Sequence, residues 1–136
     1  MLVIETLHEK LTKVIISLND HVLAIDVELK DTSFFSEQTT ELLQDAMMYS
    51  EINKLYFDDS MYVSIANLIK TARNANIDLK HGYTPMLPVG EVIESELVKD
   101  AKKEIQDKLP VIRDELRNKF RNALWPDPKE AIEVKE

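Results

Sequence analysis

The chain has 136 residues, 44% of them hydrophobic, with 2 glycines, 5 prolines, no cysteine and a formal net charge of −8. That length and apolar content suit one folded domain and exclude a compositionally disordered chain. The lack of cysteine excludes disulfides, thiolate metal sites and a cysteine nucleophile, and it fits a reducing compartment.

The glycine count bears most directly on fold. Strand-rich folds need tight turns that lean on glycine, which makes up roughly 7% of average proteins. Here the first glycine is Gly82 and the first proline is Pro85, so residues 1–81 contain neither breaker. This favours helices. Met1 is not followed by a basic region, an apolar run and a cleavage site, and no apolar run approaches the roughly 18 residues a membrane span needs. The expectation is a cytoplasmic protein, of a cell or of a virus-infected host. The charge is uneven along the chain. Residues 1–60 hold 12 acids against 4 bases, whereas residues 99–121 hold 8 bases against 5 acids. The two regions are electrostatically complementary.

In chain order, Ile4, Leu7, Leu11, Val14, Leu18, Val22, Ile25 and Leu29 step by threes and fours. This reads as one long amphipathic helix, close to a coiled-coil seam. Leu23, Ile25, Val27 and Leu29 also alternate with polar or small residues, so a β-hairpin over 14–29 competes with it. On the helical reading Ile16, Leu23 and Val27 form a second apolar face. A helix apolar on two sides is either central in a bundle or shared with a partner chain, and the central position is the expectation.

Residues 31–36 read as a connection, with Ser33 and Ser36 as N-cap candidates. Leu42, Leu43, Ala46 and Met47, with Ser50, mark a second helix from about Glu37. Asp58-Asp59-Ser60 is a stop-and-restart signal. Met61, Ile65, Leu68, Ile69 and Ala72 then make a third helix that fades at Asn74-Ala75-Asn76. Residues 81–90, with both glycines and two prolines, read as a surface loop. From Glu91 to Trp125 apolar residues recur at Ile93, Leu97, Ala101, Ile105, Leu109, Ile112, Leu116, Phe120 and Ala123, a single long helical face. Pro110 should kink this last helix, because it lacks an N–H and its ring meets the carbonyl of Gln106. Pro126 pushes Trp125 out of helical geometry.

Motifs that carry chemistry are sparse. There is no G-x-S-x-G turn, and two isolated glycines cannot form a P-loop or a dinucleotide fingerprint. Glu5-x-x-His8 has the spacing of one half of a di-iron element and Asp78-x-x-His81 echoes it, but a di-iron bundle also needs two further inward carboxylates. Glu91-x-x-Glu94 lacks the second acidic motif that a pyrophosphohydrolase-type site requires. The remaining constellation is basic. At about 100° per residue, Lys99, Lys103, Arg113, Arg117 and Arg121 fall within roughly 80° of one another, opposite the apolar stripe. Such a stripe suits carboxylates or phosphates, although as a solvated face it needs no partner at all.

These readings combine into an all-α domain over residues 1–125, a bundle of about four helices with long first and last members, and a mobile tail over 126–136. No catalytic, cofactor-binding or metal residue is assigned, and enzymatic activity is not expected. The expected role is non-catalytic protein–protein interaction or assembly, with a homo-oligomer as the natural outcome. Lys99, Lys103, Arg113, Arg117, Arg121, Ile16, Leu23 and Val27 are the partner-binding candidates. The alternative is a nucleic-acid-associated protein that holds phosphates on the basic stripe.

Overall fold

A computed structural model describes residues 2–27, 31–82 and 95–125. The structure is all-α. Its elements are α1 (Leu2–Asp26), α2 (Ser33–Ile52), a 3-10 turn (Lys54–Tyr56), α3 (Asp59–Gly82), α4 (Glu96–Lys103), a π turn (Glu104–Lys108) and α5 (Leu109–Leu124). No strand occurs among the described residues. The hairpin alternative therefore fails over residues 14–26, which are helical; the tail beyond Trp125 and the loop from Tyr83 to Glu94 lie outside the described residues.

Each helix forms for reasons visible in its residues. In α1, Ile4, Leu7, Leu11, Val14, Leu18, Val22 and Ile25 are all buried, as their spacing requires. The start of α2 comes earlier than expected. Asp31 Oδ1 accepts the Ser33 backbone N–H at 2.9 Å and its hydroxyl at 2.6 Å, so the Asp-Thr-Ser stretch launches the helix at once. Asp58 starts α3 by accepting the Met61 N–H at 2.7 Å. Ser95 does the same for α4, accepting from Val98 N–H at 3.2 Å. α3 does not fade at Asn74–Asn76. Asparagine usually weakens a helix by competing for backbone groups, but Asn76 instead donates to Thr40 Oγ1 at 3.0 Å and to the Ser36 carbonyl at 3.3 Å, tying α3 to α2.

The helix at the centre is α3, which packs against α1, α2, α4 and α5. Met61, Ile65, Leu68, Ile69, Ala72, Ala75 and Leu79 line its buried side. This corrects the expectation that α1 is the central helix: α1 packs mainly on α2, and its second apolar face stays outside. Burying each Leu or Ile of this core contributes roughly 1.5–3 kcal/mol relative to exposure.

A π turn, Glu104–Lys108, lies just before Pro110. Leu109 N–H donates to the Glu104 carbonyl, five residues back rather than four. Widening the backbone there relieves the contact between the proline ring and the Gln106 carbonyl. A π turn delays the helix that follows by about one residue, or roughly 100°. Of the expected apolar stripe, Ala101, Ile105, Leu109, Leu116 and Phe120 are buried on both sides of the turn; Val98 is buried in place of Leu97, and Leu97 and Ala123 are exposed.

Candidate interaction surfaces

The basic residues of α4 and α5 lie on the surface, but the π turn between them breaks their alignment. A stripe drawn at constant pitch through Lys99, Lys103, Arg113, Arg117 and Arg121 is offset by about one residue's rotation between its halves. Lys99 lies 3.6 Å from Glu96 on its own helix. Lys103 lines an open depression of about 620 Å³ with Asn74, Ile77, Asp78, Asp100, Glu104, Asp107 and Lys108. Carboxylates outnumber cations in that lining. Arg113 Nε and Arg117 Nη2 share one oxygen of Asp114, at 3.4 and 3.5 Å. Exposed pairs of this kind contribute little to stability.

Contacts between the acidic half and the basic region are made by other lysines. Lys102 Nζ meets Asp26 Oδ1 at 2.7 Å, and Lys119 Nζ donates to Ser64 Oγ at 2.6 Å and to the Ser60 carbonyl at 3.2 Å. Neither lysine belongs to the stripe.

Arg117 and Arg121 come together elsewhere. With Trp125 they form one wall of a hollow of about 260 Å³ between the end of α5 and the start of α1. Ile4, Phe120 and Leu124 supply its apolar lining, and Glu5 and His8 stand on the α1 side. The His8 ring meets Phe120 edge-on, with centroids 6.2 Å apart. Thus Glu5 and His8, paired above as a possible metal element, line the hollow together. No group of three or more His, Cys, Asp or Glu side chains able to hold a metal forms among the described residues. Asp78 and His81 lie near the end of α3, and Glu91 and Glu94 are outside the described residues.

Ile16 and Leu23 on α1, and Val27 just past its end, are 55%, 61% and 64% exposed. They share the side of the helix opposite its core stripe, and no described residue covers them. Lys13 and Asp20 lie along the same line. Lys13 reaches Glu9 at 3.6 Å, within the helix.

Two further features escaped the sequence reading. The first is a polar seam inside the α1–α2 contact. Ser17 and Thr39 hydroxyls are 2.6 Å apart and buried, and His21 is fully enclosed one turn on, stacked on Phe35 at 6.0 Å. Neither His21 ring nitrogen has a hydrogen-bond partner among the described residues. Burial without a partner disfavours the imidazolium and pulls the His21 pKa down to about 4. The polar pair Ser17 and His21 at i, i+4 beside an apolar stripe was the available signal. The second is a groove between α2 and α3, lined by Thr40, Leu43, Met47, Ile69, Arg73 and Ile77 among others. Met47, expected in the core, is 39% exposed at this groove.

No described helix is long and apolar enough to cross a membrane. Comparison with protein-family models, with curated proteins and with solved structures finds no match for this chain, so the functional reading rests on its own residues.

Proposed function

We propose that this chain is a non-catalytic assembly protein that associates with a second copy of itself through the outer face of α1. The observation that carries this reading is the exposure of Ile16, Leu23 and Val27 along one line of a helix whose core side is already filled. Their spacing of seven and four residues is that of a heptad seam, with Ile16 and Leu23 at d positions and Val27 at an a position. Lys13 and Asp20 fall at the intervening a positions. Charged residues there sacrifice some stability and select register and orientation. A parallel pair would set Asp20 beside Asp20. An antiparallel pair about a two-fold axis instead sets Ile16 of one copy level with Val27 of the other, and Asp20 level with Leu23 rather than with itself. The apolar residues then meet on a self-complementary surface, as an isologous contact requires. From Ile16 to Val27 the seam is about 16 Å long.

The test is particle mass by light scattering and sedimentation for the unaltered chain, the Ile16→Glu chain and the Leu23→Glu chain. The unaltered chain is expected to be dimeric and both variants monomeric, with unchanged circular dichroism because neither position is in the core. A monomeric unaltered chain at high concentration, or dimers that persist in both variants, would rule out this surface.

A further inference from the structure

The hollow between the end of α5 and the start of α1 lies well along α1 from the proposed seam, and it has a chemistry of its own. Three of its lining residues, Arg117, Arg121 and Trp125, are four residues apart in sequence. Trp125 is the sole tryptophan of the chain and is 70% exposed. An indole so placed has an apolar face with nothing stacked on it among the described residues. Arg121 has no ion-pair partner among the described residues, and Arg117 has only the 3.5 Å contact with Asp114. Two guanidinium groups one helical turn apart can hold the oxygens of one phosphate from two directions. Ile4, Phe120 and Leu124 give the hollow an apolar floor against which a base can lie.

We infer that this hollow binds a nucleotide unit, its base stacked on the Trp125 indole and its phosphate held between Arg117 and Arg121. Base–aromatic stacking tolerates any base, and the guanidinium pair supplies the charge recognition. Glu5 is the single carboxylate of the lining and stands on the α1 wall, where an acceptor suits the ribose hydroxyls rather than the phosphate. A volume of about 260 Å³ is below the usual range for drug-sized ligands and suits one nucleotide, not two. The overall charge of −8 opposes long nucleic acid more than it opposes a single phosphate. The unit could arrive as a free nucleotide or as part of a single strand, since the chemistry of one base and one phosphate is common to both.

The sole tryptophan is its own reporter. Fluorescence excited at the red edge of the indole band is followed while the full chain is titrated with adenosine monophosphate, adenosine, inorganic phosphate or a short single-stranded oligoadenylate. The monophosphate is expected to quench saturably, with adenosine and phosphate each binding at least about tenfold more weakly. An oligoadenylate that binds at least about tenfold more tightly than the monophosphate identifies single strands as the source, and equal affinity identifies the free nucleotide. Arg117→Gln/Arg121→Gln should weaken monophosphate binding at least about tenfold and remove most of its salt dependence. Trp125→Leu, followed by calorimetry, should cost about tenfold. All variants should keep the circular dichroism of the unaltered chain, since Arg117, Arg121 and Trp125 are exposed. Monophosphate binding no tighter than adenosine or phosphate, or a double arginine variant that binds as well as the unaltered chain, overturns the inference. The outcome is independent of the α1 seam, because oligomer size is not read.

Discussion

Ser95 Oγ lies 2.6 Å from the point where a Cβ on Gly82 would stand, and Leu97 Cβ and Val98 Cγ2 lie 2.9 Å from it. The last residue of α3 is thus pressed against the first turn of α4 at a distance that only glycine permits. Ser95 itself is held, because its hydroxyl caps Val98 N–H.

A sign can be attached to Gly82→Ala. At an open helical position this change would stabilise by about 0.4–1 kcal/mol, through helix propensity and a less flexible unfolded chain. Here the added methyl meets two side chains near the backbone, Leu97 Cβ and the cap hydroxyl, which cannot swing away without loosening α4. The expected result is destabilisation of about 1–3 kcal/mol, read from the urea midpoint at unchanged slope. A more stable Gly82→Ala chain would mean that α4 shifts freely on α3.

The buried hydroxyl pair of Ser17 and Thr39 can be assigned a direction. Thr39 Oγ1 also donates to the Phe35 carbonyl at 2.9 Å, which uses its only hydrogen, so Ser17 donates to Thr39. Thr39→Val removes the acceptor and leaves the enclosed Ser17 hydroxyl without it, at a cost of about 1–3 kcal/mol. Ser17→Ala removes only the donor and should cost about 1 kcal/mol. The double variant should be less destabilised than the sum of the singles, because neither polar group is then left alone. Strict additivity in a double-mutant cycle would show that the two hydroxyls do not interact.

His21 sets a pH dependence. Its pKa is about 4 in the folded chain, against 6.5 for an ordinary histidine, because burial penalises its charged form. Between those values the unfolded chain binds more protons than the folded one, so stability rises with pH through this window. The contribution is complete above pH 6.5 and is lost as pH falls toward 4, by about 2–3 kcal/mol. His21→Leu should flatten this limb of the stability–pH curve and raise stability at pH 5, since it also removes two unpartnered nitrogens. An acid limb of the same slope in His21→Leu would place its origin in the carboxylates.

Much of this architecture is legible in residue spacing, and the gaps have physical causes. The core faces of α1 and α3 were readable because their apolar residues sit at unbroken threes and fours, and every described one is buried. Spacing identifies a buried side but not the helix that covers it. For that reason α3 rather than α1 is central, and Met47 lies at a groove although its period matches Leu43. Local rules also misled where tertiary partners intervene, as when Asn76 keeps α3 helical by bonding across to α2. For the surface candidates, a wheel of constant pitch joined Lys99 and Lys103 to the three arginines. The π turn separates them, and the tertiary fold sets Arg117, Arg121 and the following Trp125 against Glu5 and His8 of α1 instead. Nothing in a wheel anticipates that hollow, because its two walls are about a hundred residues apart in the chain.

The π turn itself can be tested at Pro110. Alanine there supplies the missing N–H, and a strict α-helix through the region would gain one backbone hydrogen bond, a net contribution of about 1 kcal/mol. That helix would also lose the extra residue of the π turn, rotating α5 by about 100° relative to α4. Leu116 and Phe120, both buried, would then leave the side that Ala101 and Ile105 share. Exposing those two side chains costs roughly 3–6 kcal/mol, which exceeds the gain from one bond. The packing on both sides therefore holds the π turn in place even without the proline. Pro110→Ala then changes the folded state little, while its unfolded chain gains freedom worth about 0.4–1 kcal/mol. The expected outcome is a melting temperature lower by a few degrees, with α5 in the same register as judged by unchanged protection of Leu116 and Phe120 amides from hydrogen exchange. A clear rise in melting temperature would show that the proline, not the packing, maintains the turn.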